Sequence, residues 1–98
     1  MIGDYLVAYP NGGFRNGREA VSLRAQGVQA GIPDLLLAYP VNRCHGLWIE
    51  LKNRNGGILS DNQRKWISRL SGVHYRAIVC LGWDNAKDAI LDYLDGGK

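Results

Sequence analysis

The segment Leu47-Trp48-Ile49-Glu50-Leu51-Lys52 decides the fold, because its chemistry alternates with a period of two. Residues two apart share a face of a strand. Leu47, Ile49 and Leu51 therefore point one way, and Trp48, Glu50 and Lys52 the other. An isolated Glu-x-Lys of this kind reads as a solvent-facing ion pair on an edge strand. The run before it changes that reading. Asp34-Leu35-Leu36-Leu37-Ala38-Tyr39 is short and continuously apolar behind its leading acid, which suits a buried central strand. A hairpin about the loop Pro40 to Gly46 sets Tyr39 opposite Leu47, Leu36 opposite Glu50 and Asp34 opposite Lys52. Asp34 is then diagonal to Glu50, within reach of a shared ion. Two carboxylates and a lysine on adjoining strand positions are expensive to hold together unless a cation lies between the acids. Hard oxygen donors favour Mg²⁺ or Mn²⁺ over zinc.

Outward from this pair the chain alternates strands and helices. Tyr5 to Tyr9 has strand-forming residues and stops at Pro10-Asn11-Gly12-Gly13. Asn16-Gly17-Arg18-Glu19 has the form of a capping box, so a short helix is expected through about Gln26, ended by Gly27. Glu19 borders the apolar face of that helix, so it is either the capping residue or a further carboxylate leaning toward Asp34 and Glu50. Ser60-Asp61-Asn62-Gln63 is a second capping box, opening a helix whose stripe is Trp66, Ile67 and Leu70 and whose end is Gly72. Gln63 shares that stripe, so its amide has a local role at the cap and an inward path to the site. Tyr75 to Leu81 reads as a strand, and Asp84 as the cap of a last helix with Ala86, Ala89, Ile90, Tyr93 and Leu94 on its apolar side. The order β-α-β-β-α-β-α predicts an α/β layered domain with a small mixed sheet flanked by helices.

Composition bounds the rest. The chain has 98 residues, 46% of them hydrophobic, which fits one domain over residues 1–98. Its longest apolar run, Leu35 to Val41, is far shorter than the ~20 residues of a membrane span, so no membrane role is expected. Asp4 and the lack of a basic start argue against a signal peptide. Cys44 and Cys80 have no CxxC partner, which points to reduced thiols and a cytoplasmic location. No GxxxxGK[ST] is present, so no nucleotide cofactor is expected. The net charge is +3, but it is unevenly spread. From Arg15 to Arg76 there are ten basic and four acidic residues, whereas from Asp84 onward four Asp stand against Lys87 and Lys98. A basic middle fits a polyanionic partner. His45 and His74 have no paired base and read as surface or turn residues. Trp48 shares the Glu50 face and is expected to wall the site.

Gly31-Ile32-Pro33-Asp34, a strand and a loop before Ile49-Glu50-Leu51-Lys52, resembles the PD-(D/E)xK nuclease signature. Asn11-Gly12-Gly13 with Arg15, the GIPDLLLAYP strand, GLWIELK, and Gly57, Ser60 and Gln63 opening a helix are more specifically similar to the VRR-NUC family. The resemblance runs from about Tyr9 to the last helix. It implies a restriction-endonuclease-like fold and a metal-dependent endodeoxyribonuclease. Asp34, Glu50 and the Leu51 carbonyl would hold Mg²⁺ or Mn²⁺, with Glu19 a further carboxylate. Lys52 would orient or deprotonate the attacking water, and Gln63 would join the active-site set. Arg15, Arg54, Arg64, Lys65 and Arg69 would meet DNA phosphates. The family usually sets its first carboxylate inside a longer helix than the one expected around Glu19. Members that stand alone resemble phage and viral junction resolvases, which implies branched DNA such as four-way junctions or flaps, the bacterial host cytoplasm and a homodimer with two cutting sites. No base-reading motif is visible, so sequence-specific cutting is not expected. The rival reading is a non-catalytic nucleic-acid-binding module in which Asp34, Glu50 and Lys52 form a structural ion network.

Overall fold

The computed structural model describes residues 2–9, 31–55 and 57–96. After a 3-10 turn over Ile2–Tyr5, the chain forms strands β1 (Leu6–Ala8), β2 (Leu35–Leu37) and β3 (Leu47–Lys52), helix α1 (Asp61–Gly72), strand β4 (Arg76–Leu81) and helix α2 (Gly82–Leu94). The sheet order is β1-β2-β3-β4. The first two pairings are antiparallel and β3 with β4 is parallel, so the sheet is mixed, as the element pattern predicts. The helix expected between Asn16 and Gln26, with Arg15 and Glu19, lies outside the described residues.

The hairpin register differs from the expected one by two residues. Leu36 stands opposite Trp48, not Glu50, and Leu37 opposite Leu47. The ladder ends at Leu37↔Leu47, and the Tyr39 carbonyl accepts from Tyr93 Oη instead of a strand partner. The connection closes instead as a small Val41–Cys44 bridge, with N–H···O distances of 3.2 and 3.0 Å. Asn42 takes the left-handed backbone (φ 54°) at its tip. A shift of two preserves which face each side chain occupies. The expected faces therefore survive, and the ladder continued one pair beyond Leu35↔Ile49 sets Asp34 beside Glu50 rather than Lys52.

Leu37, Leu47 and Ile49 form the core with Cys80, Ala86 and Tyr93, and Ala89, Ile90 and Leu94 pack against it. Helix α2 thus covers the fully apolar face of β3 through the expected stripe, and Tyr93 Oη ties it down by donating to the Tyr39 carbonyl at 2.8 Å. Asp84 is not the cap of this helix. The helix starts at Gly82, whose φ is +83°. The Leu81 N–H is accepted by Asn85 Oδ1 at 2.9 Å, while Asp84 pairs with Arg54 at 3.0 Å. Helix α1 buries Leu70 and ends at Gly72, as expected; Val73 is its C-cap and His74 takes the left-handed turn at φ 70°. β1 is shorter than Tyr5–Tyr9, yet Ala38 N–H bonds Tyr5 O and Tyr9 N–H bonds Asp34 O, both at 2.8 Å. The hydrogen bonds therefore reach both expected ends.

Candidate active site

The site lies where β3 ends, on the sheet face away from α2. Asp34 sits in the bend before β2, and its Oδ2 accepts the Leu51 N–H at 2.9 Å. That bond locks the acid against β3. In a strand the N–H and C=O of one residue project to the same side, so the Leu51 carbonyl also projects toward Asp34. What brings Asp34 here is Gly31, with a φ of +88°. A Cβ at Gly31 would come within 2.5 Å of the Asn62 backbone. Only glycine lets the strand entry pass this close to the first turn of α1.

Glu50 is 2% exposed, and its Oε1 has no hydrogen-bond partner. An ionised carboxylate in that state is costly. Burial, followed by the hydrogen bond and the charge of Asp34, pushes its pKa up to about 8, while Lys52 pulls the other way. Lys52 Nζ stands 4.0 Å from Glu50 Oε2 and donates to Gln63 Oε1 at 3.1 Å. The same Gln63 oxygen accepts the Ser60 N–H at 2.9 Å, and Ser60 Oγ accepts the Gln63 N–H at 3.1 Å. The capping box and the inward reach of Gln63, alternatives on the sequence, are one arrangement. A carbonyl oxygen has two lone pairs, and this one uses them for helix and lysine together. Gly57 completes the setting: a Cβ there would sit 3.1 Å from Lys52 Cδ, so the loop lies on the lysine stem.

The sequence carries no signal for the Gly31–Asn62 approach; the Gly56-Gly57 pair is the only hint that a backbone must come close to Lys52. Trp48 walls the site, its ring 5.2 Å from Tyr9 and 6.3 Å from Tyr75. Its buried Nε1 has no acceptor, and as a donor it cannot ligate a metal. His45 and His74 lie at the other end of β3, where the His45 N–H donates to the His74 carbonyl at 2.8 Å. They are turn residues, as expected. Of the basic set, Arg64, Lys65 and Arg69 are exposed on the outer flank of α1. Arg64 is 3.5 Å from Asp61, and the Arg69 guanidinium lies 5.3 Å from the centre of the Trp66 ring. Arg54 is already paired with Asp84.

Among the described residues no three of His, Cys, Asp and Glu converge as a closed metal cage. Asp34, Glu50 with its unpartnered Oε1, and the Leu51 carbonyl nevertheless make an all-oxygen half-shell that fits a hard divalent ion keeping several waters. The family model for the VRR-NUC domain matches residues 11–84. The chain belongs to the VRR-NUC family. A solved structure described as a VRR-NUC domain protein superposes with a TM-score of 0.81 and 30% identity, covering 99% of this chain and 73% of its own. No curated protein matches the chain. VRR-NUC membership makes this a domain of a nuclease-type family, with the small mixed α/β fold that the neighbour shares. In this VRR-NUC chain the GIPD and IELK segments form one cluster, and SDNQ touches it through Gln63.

Proposed function

We propose that the chain is a Mg²⁺- or Mn²⁺-dependent endodeoxyribonuclease that cuts phosphodiester bonds in branched DNA, such as four-way junctions or flaps, without reading sequence. The observation that supports it most is the buried Glu50 carboxylate, without a partner on Oε1 and beside Asp34 and Lys52. Such a group is poorly accounted for by a structural ion network, which would satisfy its own members. It is well accounted for by a cation that arrives with substrate. Asp34, Glu50 and the Leu51 carbonyl would hold that ion, with Glu19 as a further carboxylate. When bound, it supplies charge neutralisation at the phosphate and a lowered pKa for a bound water.

The chain's own groups do the rest. An ammonium has three donors. On Lys52 one goes to Gln63 and one faces Glu50, which leaves the third for the attacking water or a phosphate oxygen. Gln63 keeps the lysine from swinging out. Arg64, Lys65 and Arg69 on α1, with Arg15 and Arg54, would hold the backbone phosphates on either side. A two-fold homodimer would supply the two equivalent sites that symmetric cleavage of a junction needs.

The test is incubation of the purified chain with four-way, flap, fork and linear DNA in Mn²⁺ and in EDTA. Cutting in Mn²⁺ that EDTA and Asp34→Asn both abolish is the expected result. Because an asparagine oxygen still accepts the Leu51 N–H, the variant should stay folded. Metal-independent binding with no cutting of any DNA would establish the non-catalytic module instead.

A further inference from the structure

We propose that Ile58 is a wedge that enters a base step next to the scissile phosphate, and that this one side chain gives the site its preference for DNA whose stacking is already broken; the proposal rests on the nuclease reading. Ile58 is 88% exposed, more than any other large hydrophobic side chain among the described residues. Single exposed apolar residues are common, so its position is what matters. It follows Gly57, which lies against the Lys52 stem, and consecutive Cα atoms are about 3.8 Å apart. Two residues further on, the Ser60 N–H is fixed to the Gln63 oxygen that also holds Lys52 Nζ. The loop carrying Ile58 is therefore tied on both sides to the groups that hold the lysine. A phosphate in contact with Lys52 would bring its flanking bases over this loop.

The chemistry of the side chain fits that place. The helix that follows it, α1, exposes Arg64, Lys65 and Arg69 against Asp61 alone, so its charge suits phosphates while Ile58 suits bases. A β-branched side chain has restricted χ1 freedom, so holding it in a base step loses little entropy. Apolar wedges of this kind partly unstack a step and kink the duplex. The cost of opening is least where the stack is already interrupted by a mismatch, damage or a single-stranded segment. A site whose other contacts go to phosphates would thereby select shape without reading sequence.

The experiment uses the full chain and DNA carrying 2-aminopurine at successive positions around a flap junction and in a matched linear duplex. In EDTA, where the chain is expected to bind without cutting, wild type should raise the fluorescence severalfold at one position. Ile58→Ala should leave it at the free-DNA level, and Ile58→Leu should restore it. In Mn²⁺, Ile58→Ala should lose at least about tenfold in rate on a flap whose step is already open, where the wedge is seated without breaking a stack. On paired linear DNA, where the wedge must break the stacking it enters, the loss should be much smaller, so the preference for the flap falls. An undiminished fluorescence rise in Ile58→Ala, or equal rate losses on both substrates, would overturn the wedge. Cutting with no dependence on Ile58 refutes the wedge and keeps the nuclease. An Ile58-dependent fluorescence rise without any cutting does the reverse.

Discussion

At Glu50 the folded chain holds a proton that the unfolded chain releases. Its pKa is about 8 when folded, against an ordinary 4.5. Between those values the native state binds more protons than the unfolded state, so stability must fall as pH rises. Urea unfolding of metal-free protein should show a midpoint that drops from pH 5 to pH 8.5. Glu50→Gln should flatten that dependence, and an unchanged slope in this variant would remove Glu50 as its cause. Lys52 tests the chemistry rather than the stability. Lys52→Ala should keep DNA binding within a few-fold and lose cleavage by orders of magnitude, because the group acts mainly in the transition state. A variant that cuts normally but binds poorly would reduce Lys52 to a phosphate clamp. At this scale the sequence was highly legible: Asp34, Glu50, Lys52 and Gln63 all lie in one cluster. Their faces follow from a period of two and from a capping box. The burial of Glu50 was not legible, since alternation alone is equally compatible with a solvated face.

Helix α1 does two jobs with one turn, and they can be separated. Ser60→Ala removes the hydroxyl cap and should cost about 1 kcal/mol of stability. It leaves the Ser60 backbone N–H on Gln63, so cleavage should change little. Gln63→Ala should cost a similar amount in stability, yet reduce cleavage at least about tenfold, because Lys52 loses its acceptor. Equal effects of the two substitutions on rate, measured in Mn²⁺ on one flap substrate, would show that Gln63 is only a cap. Gly31→Ala tests how this turn meets the strand entry. Left-handed backbone on a non-glycine residue costs on the order of 1–3 kcal/mol, and the clash with Asn62 adds to it. Denaturation should report a loss of about 2 kcal/mol or more, with cleavage falling further as Asp34 moves away from Leu51. Wild-type stability would contradict the close approach. Both capping residues were visible in Ser60 to Gln63, but no local pattern signals that Asn62 is the partner of Gly31.

Among the described residues β1 stands at one edge of the sheet, with Val7 and the preceding Tyr5 exposed. Beside it Ile2, Leu6, Trp83, Ile90 and Leu91 line an apolar groove between the 3-10 turn and α2. An exposed edge strand with an apolar flank favours pairing with another copy. This extends the expectation that the first strand takes part in a two-fold homodimer. Sedimentation at micromolar concentration should give twice the monomer mass of 10.9 kDa, through an interface on the order of 1,200 Å² or more. Val7→Lys, which sets a charge on the edge, should shift it toward monomer. A wild-type monomer that still nicks both strands of a junction symmetrically would refute the dimer and leave the cutting chemistry intact.

Among the described residues, the sequence by itself determined the strand and helix order, the mixed α/β class and the shared face of Asp34, Glu50 and Lys52. Each of these depends on local periodicity, which neighbouring residues encode without help from the rest of the chain. The tertiary structure decided the distances. The hairpin stands two residues from its expected register, and Asp34 accepts the Leu51 N–H. Glu19 and Arg15 lie outside the described residues, so their expected roles rest on the sequence. The shared Gln63 oxygen, the Gly31 approach and the buried Glu50 each join residues many positions apart. Loop closure and packing set such contacts, whereas a change of register by two is invisible to a pattern whose period is two.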